Sequence, residues 1–123
     1  MAGQLISMET ISFEEFKKLD IRIGKVISAE AVVGSEKLIK MEVDLGLDPS
    51  TGSGLDKRQI LAGILQYYKP KDLIGKSFVF LANLETKKMM GLESQGMILC
   101  ADKDDEPICL VPLKDAPSGT IVR

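Results

Sequence analysis

The sequence predicts an all-β domain, a five-stranded barrel of the OB type in preference to a generic small β-barrel or an α+β domain, and three observations carry that prediction. Five short segments read as strands, the first beginning with a period-2 alternation of apolar and polar residues and the second keeping it throughout. A helical turn falls between the third and the fourth of them. A glycine interrupts the first, where a closed barrel must bend its long strands. The expected domain is residues 11–123, with residues 1–10 as an N-terminal tail.

A short helix precedes the barrel. Ser12 is its N-cap, Glu15 completes a capping box, and Ile11 is placed to staple against Phe16. A seven-residue helix ending at Leu19 cannot be stable alone. Phe13 and Phe16 therefore need a surface to bury against, either the barrel or a second subunit. The first strand runs from Asp20 to Ile27 and shifts phase around Gly24, the expected site of a bulge. Ser35 to Lys37 turn the chain. The second strand sends Ile39, Met41, Val43 and Leu45 one way and Lys40, Glu42 and Asp44 the other. Gly46 to Asp56 reads as a mobile hairpin loop. Arg58–Ile64 is the third strand, and Pro70 opens a helical turn that Gly75 closes. Ser77–Asn83 is the fourth strand, Gly96–Ala101 the fifth, and Pro107–Val111 adds a small extra strand, a C-terminal extension before the Pro- and Gly-containing tail.

Composition narrows the function. A chain of 123 residues with 45% hydrophobic content holds one core and has no room for a second catalytic domain. It has no histidine, which excludes Ser-His and Cys-His nucleophile pairs, His-based zinc sites and an imidazole base. No carboxylate stands in a catalytic context, so the chain reads as non-enzymatic, with no cofactor and no metal expected. Cys100 and Cys109 form no C-x-x-C pair and read as two buried, reduced thiols. No apolar run reaches the roughly 18 to 20 residues of a membrane span. Met1 to Met8 lacks signal-peptide character. A cytoplasmic location is expected. The net charge of −2 conceals a pattern: residues 57–88 carry a balance of +5, between flanks of −4 on either side. A basic middle is compatible with one anion-facing surface, or with a solvated surface of no special role.

Particular residues go further than the pattern. Phe16-x-x-Leu19-Asp20-Ile21-Arg22-Ile23-Gly24-Lys25-Val26, Glu42-Val43-Asp44-Leu45-Gly46, Ala62-Gly63-Ile64 and Ala82-Asn83-Leu84 follow one another at family spacing. The most specific run is Lys87-Lys88-Met89-Met90-Gly91-Leu92-Glu93-Ser94-Gln95-Gly96-Met97. Together they resemble the tRNA-binding domain family of OB folds over residues 11–122. Within it they look most like the β-subunit or C-terminal domain of methionyl-tRNA synthetase and free-standing tRNA-binding proteins. Two departures stand out: Glu85 and Thr86 replace a more basic, proline-containing stretch, and the Leu47–Lys57 loop is longer than usual.

The resemblance implies tRNA as a partner, a methionyl-tRNA synthetase catalytic chain as a second one, and a homodimer. The dimer would use the N-terminal helix and C-terminal extension, here Phe13, Phe16, Ile108 and Leu110. The expected tRNA surface centres on Asn83, Lys87, Lys88, Ser94 and Met97, with Arg22 and Lys40 on outward strand positions. Lys87 and Lys88 can donate to phosphates, and Asn83 can read a base edge or merely close a turn. Ser94 and Gly96 allow close backbone approach or make an ordinary turn. Met97 is either core or an apolar contact. Aromatic side chains are scarce, which favours a folded RNA read by shape and backbone over a stacked single strand. A dimeric, chaperone-like module that binds peptide through exposed methionines is the alternative.

Overall fold

The computed structural model describes residues 9–48, 50 and 54–123. Ser12 does cap a helix, its Oγ accepting from the Glu15 N–H at 3.1 Å, but α1 (Phe13–Phe16) is a single turn rather than the seven residues expected. Phe13 and Phe16 stack on each other with ring centroids 6.4 Å apart, and Phe13 stays 65% exposed.

The strands are β1 (Ile21–Ala31), β2 (Ile39–Leu47), β3 (Leu55–Ala62), β4 (Ser77–Leu81), β5 (Lys87–Met89), β6 (Leu92–Ser94), β7 (Met97–Ile98), β8 (Cys100–Lys103) and β9 (Glu106–Cys109). A 3-10 turn, Pro70–Asp72, lies between β3 and β4 where Pro70 predicted it. The main antiparallel sheet has the order β3-β2-β1-β4-β7 and curls so that its edges β3 and β7 approach, an OB-type half-barrel. Inside lie Val26, Ile39, Met41, Val43, Leu45, Ile60, Phe78 and Phe80. The clean alternation of β2 is thus a core face and an outer face. The expected fifth strand is split into β7 and β8. The β5–β6 hairpin, absent from the sequence reading, is inserted before it. The Gly46–Asp56 loop lies partly outside the described residues, and β2 and β3 consume its ends.

The bend in β1 is not at Gly24. Val26 pairs with Val43 and Ser28 with Glu42, so the extra, bulged residue is Ile27. Gly24 serves another need. A Cβ there would meet Leu45, Phe80 and Val43 side chains at 2.7 to 2.8 Å, so the core has filled the space a side chain would take. Up to the bulge, Arg22, Gly24 and Val26 point inward; beyond it Ala29 faces the core instead.

The C-terminal tail completes the sheet. Ile23 N–H donates to Thr120 O (2.9 Å), Gly119 N–H to Ile23 O (2.7 Å) and Val122 N–H to Ile21 O (2.8 Å). This covers the edge of β1 that β2 does not reach. Gly46 and Gly119 permit the crossing, since a Cβ on Gly46 would lie 2.6 Å from Gly119 Cα.

Candidate nucleic-acid interface

The β5–β6 hairpin is the most distinctive surface feature. Its strands pair Lys87 with Ser94, Lys88 with Glu93 and Met89 with Leu92. The turn between them uses Met90 (φ 52°) and Gly91 (φ 78°), the two left-handed residues of a type I′ turn. Methionine is an unusual choice there, because a left-handed conformation costs a Cβ-bearing residue about 1–2 kcal/mol. The Met90 side chain is nonetheless 58% exposed.

A polar clasp fixes this hairpin to β3. Ser94 Oγ accepts from the Leu61 N–H and donates to Gly96 O, both at 3.0 Å. Gln59 Nε2 donates to Glu93 O at 2.9 Å, and the Gln59 N–H donates to Gln95 Oε1 at 3.0 Å. The Gln95 N–H returns a bond to Gln59 O at 2.8 Å. Ser94, expected at the binding surface, is therefore buried under the hairpin with its hydroxyl fully engaged. Its place is that of an anchor.

Held this way, Lys87 and Lys88 are exposed and have no carboxylate within ion-pair range among the described residues. Two clefts form a groove along β1–β2–β3, and the hairpin reaches it through Met90 and Leu92. One cleft, of about 240 Å3, lies among Glu30, Lys40, Glu42, Lys57 and Gln59. A second, of about 280 Å3, lies among Val32, Val33, Lys40, Met90 and Leu92. Lys40 belongs to both, and is tied to Glu30 at 2.9 Å. Lys57, Gln59 and Met90 were not singled out from sequence as part of this surface. The signal present was the alternation Lys57-x-Gln59 on one strand face. Met97 is 41% exposed, so of the two readings the core one fails.

Two expected contacts lie elsewhere. Asn83 is exposed, but its Oδ1 accepts from the Asp20 N–H at 2.8 Å and its Nδ2 donates to Lys18 O at 2.5 Å. It fastens the end of β4 to the exit of α1, the turn-closing alternative. Arg22 is not on an outward position at all. It is 6% exposed, at the barrel mouth, with Nε and Nη2 forked onto Asp20 (2.9 and 2.7 Å) and Nη1 on Leu45 O and Asp56 (3.0 and 3.1 Å). The cause is the strand phase: before the Ile27 bulge, even-numbered residues of β1 point inward. Asp56 also holds Arg58 through two bonds of 3.0 and 3.1 Å, and Arg58 Nη1 reaches the carbonyls of Ala82 and Gln95. This chain of two carboxylates and two guanidiniums is neutral. Its hydrogen bond from Arg22, helped by the Arg22 and Arg58 charges and opposed by burial, holds the Asp20 carboxyl below its usual range. Arg58 is thus spent on structure, and the free charge of the basic middle segment is lysine.

The curled five-stranded sheet with a lysine-bearing hairpin laid beside its outer face defines an OB-type binding module. The "Putative tRNA binding domain" family model matches residues 21–121, and the chain belongs to that family. It is 44% identical to a methionine–tRNA ligase of Methanothrix thermoacetophila across 99% of this chain and 17% of that protein. It therefore spans only about a sixth of the length of that relative. Among solved structures it resembles a MetRS-related protein from Pyrococcus horikoshii (TM-score 0.82, 35% identity, 94% of this chain and all of that one). It also resembles the chaperone CsaA from Bacillus anthracis (TM-score 0.77, 31% identity, with the same coverage). No described helix is long and apolar enough to cross a membrane.

Proposed function

We propose that this chain is a non-catalytic tRNA-binding module, acting alone or as an auxiliary subunit of methionyl-tRNA synthetase. The observation that carries the reading is the hairpin. Its two lysines are exposed and unneutralised, and its backbone is clamped to β3 beside the groove, in a chain of the tRNA-binding domain family. Lys87 and Lys88 supply phosphate contacts, Lys40, Lys57 and Gln59 extend the surface, and Met97 and Met90 offer apolar contact. Ser94, Asn83 and Arg22 act by positioning these elements. Recognition is by shape and backbone, since the site offers no aromatic platform. The similarity to methionine–tRNA ligases supports the synthetase association. The lack of histidine supports a role without chemistry of its own.

A homodimer fits the remaining apolar surface. Phe13 is 65% exposed, Ile108 39% and Leu110 41%, apolar side chains that a second copy would cover. Sedimentation at micromolar concentration tests this, and a monomer would refute it. For tRNA, titration of the Lys87→Ala/Lys88→Ala protein at several salt concentrations is decisive. With about 3 to 5 phosphates neutralised, the wild-type slope of log K against log salt is about −2 to −5. The double variant should bind all tRNAs more weakly with a slope flatter by about 2. Unchanged binding by a folded variant would move the site off this face.

A second reading rests on the cleft walled by Val33 (96% exposed) and Met90, together with the likeness to the CsaA chaperone. It makes that cleft a peptide site. A salt slope near zero for tRNA, with retention of unfolded polypeptide, would favour it.

A further inference from the structure

Cys100 and Cys109 take no part in the proposed RNA surface. Expected from the sequence to be two buried thiols, they are instead half-buried and directly opposite each other in the β8–β9 ladder. Their Sγ atoms are 3.5 Å apart. In an antiparallel ladder, hydrogen-bonded pairs alternate with non-hydrogen-bonded pairs, whose side chains lie closer. The bonding pattern says which kind this pair is. The Leu110 N–H donates to Leu99 O at 3.1 Å, making the neighbouring pair a bonded one. The Cys109 N–H turns away from Cys100 to the Tyr68 hydroxyl at 3.2 Å. That hydroxyl donates in turn to Pro107 O at 2.9 Å. Pro107, paired with Asp102 two positions along the ladder, has no N–H to give, as a non-bonded position allows. The two cysteines thus hold the close-approach position. Closing the sulfurs to the ~2.05 Å of a disulfide lies within side-chain rotation. A shallow cleft of about 180 Å3 among Cys100, Asp102, Asp105 and Pro107 opens Cys100 to solvent.

We propose that Cys100 and Cys109 are a reversible dithiol–disulfide pair, oxidised by low-molecular-weight disulfides of the glutathione type. The Cys100 thiolate, reached through the cleft, attacks one sulfur of the small disulfide and expels one thiolate, leaving a mixed disulfide. Cys109 loses its proton to solvent and attacks the Cys100 sulfur, forming the internal bond and expelling the second thiolate. The protein gives up two protons and two electrons, and the small disulfide becomes two thiols. Burial pushes the Cys100 thiol up to about 12, so the first attack is slow at neutral pH and quickens as pH rises. The bond staples β9 to β8 just before Leu110, whose carbonyl accepts from Val79 of β4.

The test is incubation of the folded full chain with glutathione disulfide, followed by thiol counting and intact mass. Both thiols should be lost from a monomer lighter by two hydrogens, and dithiothreitol should restore them. Cys109→Ser should instead stop at a glutathione adduct on Cys100. Persistence of both thiols, cross-linking between chains, or a bond that forms only in denaturant would each overturn the proposal.

Discussion

Replacing Arg22 with alanine asks whether this residue is mortar in the barrel mouth or a contact to RNA. Its guanidinium makes four hydrogen bonds, two of them a fork onto Asp20, and the side chain is 7% exposed. Truncation removes the bond to the Leu45 carbonyl and the fork onto Asp20, while Asp56 keeps Arg58. Breaking a buried pair costs about 3–5 kcal/mol. Asp20 is 34% exposed, so water recovers part of that, and about 3 kcal/mol at neutral pH is the expected loss. For a domain of this size the melting temperature falls by about 10 °C. The pH dependence has a definite sign. The Asp20 carboxyl is depressed in the fold, so its contribution is intact from neutral pH down to about 4, its ordinary range, and is lost as pH falls further through the folded value. Urea unfolding from neutral to acid pH should show this acid limb in the wild type and a shallower one in Arg22→Ala. At low temperature the folded variant should bind tRNA as the wild type does. Stability within about 0.5 kcal/mol of wild type, combined with lost tRNA affinity, would refute the structural role.

Gly24→Ala places a methyl group within 2.7 to 2.8 Å of three core side chains, and overpacking of this kind costs about 1–3 kcal/mol, read as a lower urea midpoint at unchanged m-value. Met90→Asn relieves the left-handed turn, so thermal melting should show a gain of up to about 1 kcal/mol, with weaker ligand binding if the Met90 side chain touches the ligand. Met97→Ala removes a 41% exposed side chain, so stability should change by less than about 1 kcal/mol, and a fall in tRNA affinity at constant salt slope would mark an apolar contact. Alkaline titration should show stability declining from about pH 9 towards 12, because the half-buried Cys100 thiol, beside Cys109, resists ionisation in the fold and not in the unfolded chain; Cys100→Ser should flatten that limb.

Local signals in the sequence determined a good deal. The Ser12 cap, the Pro70 turn and the two faces of β2 each depend on residues a few positions apart, and the structure keeps all three. The signature run around Lys87 and Lys88 likewise identified the family without coordinates. What the sequence could not supply is where strand phase is set by long-range packing. A bulge at Ile27 rather than Gly24 turns Arg22 inward, and the compensating Asp56 lies thirty-four residues away. The β5–β6 hairpin hides its turn behind a Met-Gly pair that carries no ordinary turn signal, and β3 is what holds it. Ser94 and Asn83 are polar residues in conspicuous places, yet only the tertiary structure reveals that backbone groups on other elements have claimed their hydrogen bonds. Side-chain type fixes what a residue can bond to. Which partner arrives first depends on how the barrel closes.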